Sequence, residues 1–213
     1  PGSATRLSEN SIYGNGQVAG RETGQIGIDL LKLVGFNPTA PFVTLNDAGD
    51  ADAGGNGLLN FPVLETAAVS GGNLVLRGFA TPGALVEVFV AAPNTVAPPN
   101  ATGNNFGQGK TFLFALAEGS GADADNTTGS YGPGPVNGFD QGQDNTNKFS
   151  FTVPISSLSP ARQAALAAAT RLTATATVGG VTSEFSGNAP LAAPFAGYVF
   201  EDANYGGGAG RDR

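Results

Sequence analysis

The stretch Leu172-Thr173-Ala174-Thr175-Ala176-Thr177-Val178-Gly179-Gly180-Val181 decides the fold class. Apolar and hydroxyl side chains alternate along it. That is the signature of a β-strand, whose successive side chains point to opposite faces. The Gly179-Gly180 pair then joins two strand patterns by a two-residue link, the signal of a tight hairpin.

The same period recurs upstream. Val86, Val88 and Val90 share one face of a strand at Ala84–Ala91, opposite Leu85, Glu87 and Phe89. Phe149, Phe151 and Val153 share a face of Asn147–Pro154, opposite Ser150 and Thr152. With Phe61–Ala68, Asn73–Phe79, Lys110–Ala117, Arg171–Val178 and Val181–Ser186 this gives a series of short strands separated by turn residues. The fold expected is all-β, an immunoglobulin-like β-sandwich with long loops. Its core should include Val86, Val88, Val90, Phe149, Phe151, Val153, Leu172, Ala174 and Ala176. One short helix interrupts the strands: Ser159 can cap it, Pro160 suits its first position, and Ala161–Thr170 is rich in alanine.

Residues 1–60 read differently, as turn-rich β structure. Asn10-Ser11-Ile12-Tyr13-Gly14-Asn15-Gly16 sets single apolar residues among turn formers. Ile26-Gly27-Ile28-Asp29-Leu30 alternates like a half-buried strand, and Asn46–Gly57 is a loop by composition. Two long excursions, Ala92–Gly109 and Glu118–Asn147, are rich in Gly, Asn, Asp and Pro; loops of that length are uncommon unless functional or ordered by a ligand. The expected organisation is a turn-rich segment over 1–60, the sandwich over 61–192, and a linker with the first strand of a further domain, or an assembly strand, over 193–213.

Composition narrows the chemistry. The chain of 213 residues contains no Cys, His, Met or Trp. Disulfides, thiolate and imidazole metal sites, and Ser–His or Cys–His nucleophiles are therefore excluded. Ten Lys and Arg against 17 Asp and Glu give a net charge of −7, and the cations do not cluster, so a phosphate-backbone footprint is missing and nucleic acid is not an expected partner. Only 13% of residues are charged, and solubility rests on Asn, Thr, Ser and Gly, which favours an exported protein. No apolar run approaches the roughly 20 residues of a membrane span.

Three segments carry a resemblance. Asn10–Asn15, Gly27–Leu30 and Asn46–Asp52 running into Leu59–Leu64 resemble the last coil and cap of right-handed parallel β-helix regions in large bacterial surface proteins. Gly78–Phe89 and Leu172–Thr177, with Thr182-Ser183-Glu184-Phe185-Ser186-Gly187-Asn188, resemble the bacterial immunoglobulin-like domains of adhesins and cell-wall proteins. Gly197–Gly206 looks like the opening of a B-type repeat domain of serine-aspartate-repeat adhesins, a family in which acids and amides such as Asp202 and Asn204 can bind calcium. The resemblance implies an extracellular, cell-surface setting.

Asp47, Asp50, Asp52 and Asn56 are the candidate metal ligands. Oxygen donors on a glycine-rich loop suit Ca²⁺, although the spacing is not that of an EF-hand; the bland alternative is a solvated acidic turn. Asp123, Asp125 and Asn126, with Asp140 and Asp144, form a second acidic stretch best read as polar loop. No carboxylate pair stands apart from these turns, so a glycoside-cleaving site is not indicated and no enzyme activity is expected. The expected function is a structural or adhesive module, with neighbouring domains, further copies of the chain, surface glycans or other proteins as partners. A second reading is a filament subunit that pairs through Gly2–Asn15 and Phe195–Tyr205. A third is a carbohydrate-processing enzyme.

Overall fold

A computed structural model describes residues 4–18, 20–31, 42–93 and 105–192. The strands are β1 (Val63–Ser70), β2 (Asn73–Ala80), β3 (Leu85–Ala91), β4 (Gly109–Ala117), β5 (Thr128–Tyr131), β6 (Pro135–Val136), β7 (Phe139–Asp140) and β8 (Asp144–Pro154). A helix, α1 (Pro160–Ala167), precedes β9 (Arg171–Val178), β10 (Val181–Thr182) and β11 (Ala189–Ala192).

One layer runs β5-β8-β2-β1 and the other β4-β3-β9, with β10 beside β9; β11 joins the two layers. Its first half pairs antiparallel with β9, through Ala189 opposite Leu172, and its second half pairs parallel with β1, through Leu191 opposite Ala67. Read in chain order, this is the A-B-E-D and C′-C-F-G arrangement of an immunoglobulin-like sandwich. Helix α1 carries the chain from one layer to the other. Ser159 accepts a hydrogen bond from Arg162 N and caps it, and Leu166 is its single buried residue. Among the described residues no helix is long and apolar enough to cross a membrane.

The period-two faces meet between the layers. Leu64, Leu74, Leu76, Val86, Val88, Leu113, Phe149, Phe151, Leu172, Ala174 and Ala176 form one continuous buried cluster. Of the expected core only Val90 differs: it lies near the end of β3 and is half-buried against the cluster.

The opposite faces of β3 and β9 are buried as well. Glu87, Thr173 and Thr175 are each 1% exposed or less. An alternating apolar/polar strand normally presents its polar side to water. Here the turn-rich N-terminal segment meets Glu87 through Ser8 and Glu9, and Gly107 and Ser186 close over Thr173. Residues 4–18, 20–31 and 42–60 contain no long strand; their β pairing is confined to isolated bridges such as Ile12–Gly109 and Asn46–Gly142, and no stacked rungs occur among the described residues. Ile26 and Ile28 are buried, as their alternation predicts, but in extended coil that donates Gly27 N to Gly107 O instead of forming a ladder.

The segment 5–12, expected to reach a neighbour, is bound to this chain's own sandwich. Thr182 N donates to Thr5 O at 3.2 Å and Ile12 N to Gly109 O at 2.8 Å. Ser11 Oγ donates to Lys110 O, and Arg162, stacked on Phe112, donates to Leu113 O. These contacts cover acceptors along β4, an outer strand that would otherwise be open to pairing. Phe195–Tyr205, Asp202 and Asn204 lie outside the described residues.

Three further elements differ from expectation. Val181–Ser186 is a strand only to Thr182: Ser183 Oγ and Ser186 Oγ accept from Ala176 N and Ala174 N, so side chains replace part of the ladder. β11 is short and starts at Ala189, just after the Gly187-Asn188 turn signal, and the 118–147 excursion holds β5 and the β6–β7 hairpin. The helix stops at Ala167, and Thr170 O already accepts from Leu191 N in the sheet.

Candidate functional site

The polar residues of the molecule converge where the N-terminal segment meets the sandwich, in two knots. The first is built from Asn46, Asp47, Asn60 and Phe61. The Asn46 side chain donates to Phe61 O at 2.7 Å and accepts from Phe61 N at 2.9 Å. Reciprocally, the Asn60 side chain donates to Asp47 O at 2.8 Å and accepts from Asp47 N at 3.1 Å. An amide side chain presents the same donor and acceptor pair as a peptide group, so each Asn supplies one rung of a ladder that the backbone does not make. Asn46 also donates to Tyr131 Oη at 2.8 Å, tying the knot to β5. Burial pushes the Tyr131 phenol well above its usual range. Gly142 lets the chain pass against the Asn46 backbone, where a side chain would collide with Asn46 O.

Asn46→Ala is expected to cost about 2–6 kcal/mol, because Phe61 N and O would be left buried without partners at roughly 1–3 kcal/mol each. Asn46→Asp should be no better, since it turns the donor to Phe61 O into an acceptor. Urea unfolding of the two variants measures both.

The candidate metal ligands are divided by this geometry. Asp50 feels Asp47, Asp52 and Asp144, and burial together with these acids raises its pKa even though Asn60 N donates to it at 2.8 Å. Asp47 accepts from Ala51 N at 3.1 Å. Asp144, placed in the second acidic stretch by sequence, joins this group by accepting from Gly49 N at 2.9 Å and Asn60 Nδ2 at 3.3 Å. Asn56 lies elsewhere: its side chain accepts from Thr5 N and donates to Thr5 O and Thr182 O, pinning the N-terminal segment to β10. Among the described residues no three acidic, His or Cys side chains are placed to hold a metal.

The second acidic stretch is a set of turn acceptors. Asp123, 7% exposed, accepts from Gly119 N, Asp125 N and Ser150 N, fastening its loop to β8. Asp125 accepts from Thr127 N and Oγ1, which lowers its pKa. Asp140 accepts from Gly142 N.

The second knot is centred on Glu184 and Phe185, which sequence reasoning treated only as part of a strand. Glu184 is 2% exposed. One carboxylate oxygen accepts from Leu30 N at 2.7 Å and the other from Thr44 N at 2.8 Å, so a single side chain holds two separate stretches of the N-terminal segment. Burial drives its pKa up to about 8; the two amides oppose that shift, and Asp29 and Asp52 add to it. Phe185 sits in a cage of glycines. A methyl group at Gly27 would lie 2.9 Å from its ring, one at Gly109 2.6 Å from the ring, and one at Gly107 2.6 Å from its Cβ. The ring also meets Phe89 edge-on at 5.3 Å, in a buried cluster with Ile28 that is separate from the main core.

Two more carboxylates follow the same logic. Glu87 on β3 accepts from Ser8 Oγ at 2.5 Å and Glu9 N at 3.2 Å. Glu118 accepts from Gly83 N at 2.6 Å and Asn147 Nδ2 at 2.9 Å. One cue was available for two of these acids: Glu87 is the only carboxylate between Thr66 and Ala117, and Glu184 the only one between Arg171 and Ala192. An isolated acid within an apolar strand series is more readily explained by a specific partner than by a solvated face.

No family model matches the chain, and no curated protein and no solved structure matches it.

Proposed function

We propose that the chain is a structural or adhesive module of a large extracellular bacterial surface protein, in which the two knots make the turn-rich segment and the sandwich one stiff unit. The observation that carries this reading is the use of the buried acids. Glu87, Glu118, Asp123 and Glu184 all direct their carboxylate oxygens at backbone amides or neighbouring polar side chains that fasten one stretch of chain to another. A catalytic carboxylate needs instead to face a substrate within hydrogen-bond reach. The low content of charged residues, 13%, supports an exported protein.

The filament reading loses part of its motivation, because residues 5–12 are engaged within the chain; it rests on 193–213. Electron microscopy of the purified chain is expected to show isolated particles. Polymers lost on deletion of Phe195–Arg213 would favour the filament. Incubation with a panel of polysaccharides is expected to give no turnover, and turnover abolished by one Asp or Glu substitution would defeat the structural reading.

A further inference from the structure

Among the described residues, the charged neighbours that act on Glu184 at the junction are acids. The N-terminal stretch 26–31 brings Asp29, and the stretch 42–60 brings Asp52; both act on Glu184 as like charges. Asp29 is itself displaced upward by burial. The carboxylate of Glu184 is buried, and among the described residues the Leu30 and Thr44 amides take the place of water around it. If the segment lifts away, Glu184 returns to solvent and separates from both acids. The ionised form therefore gains more from opening than the neutral form does.

We propose that Glu184 makes the junction a proton-linked latch: closing the stretches around Leu30 and Thr44 onto the sandwich takes up a proton, and rising pH favours their release. The closed geometry accepts the proton, since the carbonyl oxygen of the neutral acid still takes one amide and its hydroxyl oxygen keeps a lone pair for the other.

The sign follows from linkage. Released into water, Glu184 titrates near 4.5; latched, it titrates near 8. Between these values closure consumes a proton, so the closing equilibrium weakens by about tenfold for each unit of pH. Below the lower value the latch is fully effective, and above the upper one nothing more is lost. The inference concerns the same junction but does not depend on the adhesive reading.

The test is NMR on the full chain from pH 4 to 9. The Glu184 side-chain carbon is expected to titrate far above the ordinary carboxylate range. Amide exchange at Leu30 and Thr44, corrected for intrinsic rate, should lose protection across the same interval, while Leu76 and Phe151 in β2 and β8 hold theirs. In Glu184→Gln the pH dependence at Leu30 and Thr44 should vanish. Should that variant not fold, Asp29→Asn is expected to lower the Glu184 midpoint, and an unchanged midpoint would count against the latch. A Glu184 midpoint near 4.5, or protection at Leu30 and Thr44 that simply tracks β2 and β8, overturns the proposal.

Discussion

Phe151→Asp is expected to leave no folded sandwich at room temperature. Phe151 lies in the middle of β8, opposite Leu76 of β2, with no exposed surface. Its ring stacks on Phe149 at 4.6 Å with 17° between the planes, and both belong to the cluster that joins the two layers. Deleting a buried aromatic side chain costs about 3–5 kcal/mol. The carboxylate that replaces it would have no partner in an apolar surrounding and would add several kcal/mol, whether it stays ionised or takes up a proton. Together these fall within the roughly 5–15 kcal/mol that holds an average domain together. Circular dichroism and the soluble fraction on expression read the outcome. Phe151→Leu is the control, expected to fold with a modest loss, because an apolar side chain still fills most of the space. A Phe151→Asp protein melting at the wild-type temperature would remove the assignment of this face to the core.

The layers were legible because the information that builds them is local. Period-two alternation in Leu172–Val178, Ala84–Ala91 and Asn147–Pro154 specifies which side chains point inward, and burial follows whatever the partner strand is. The junction was far less legible, because its residues act at long range. Nothing near Glu184 in sequence says that its oxygens will meet the amides of Leu30 and Thr44, and nothing near Asn46 announces a partner at Phe61 or Tyr131. The burial of Thr173 and Thr175 was hidden for the same reason: their alternation reads as a wet face, whereas Thr173 is closed over by Gly107 and Ser186. The acidic loop was found by composition, but composition does not tell which of its members are turned toward one another. Asp47 and Asp50 come together and recruit Asp144, whereas Asn56 is drawn away by Thr5 and Thr182.

That separation between a locally encoded sandwich and a junction held at long range has a consequence for stability. Phe185→Ala is expected to loosen the N-terminal segment while the sandwich core persists. The Phe185 ring belongs to the cluster with Ile28 and Phe89, flanked by Leu7, Ile12 and Leu30, and not to the cluster between the layers. Removing it forfeits about 3–5 kcal/mol of packing. The cavity would not collapse readily, because Gly27, Gly107 and Gly109 line it with backbone and have no side chains to move in. Glu184 would then hold Leu30 and Thr44 with less packing around it. Because the loss falls on one contact region, it should surface as sub-global opening before global unfolding. Brief proteolysis under native conditions is expected to cut the variant within residues 4–31 much faster than wild type, leaving a protected fragment that contains β1 to β11. Phe185→Leu should recover part of the resistance by refilling the cage. Equal cleavage of wild type and Phe185→Ala, with equal melting, would mean that the ring does not hold the segment in place and that the two regions are joined by the polar knots alone.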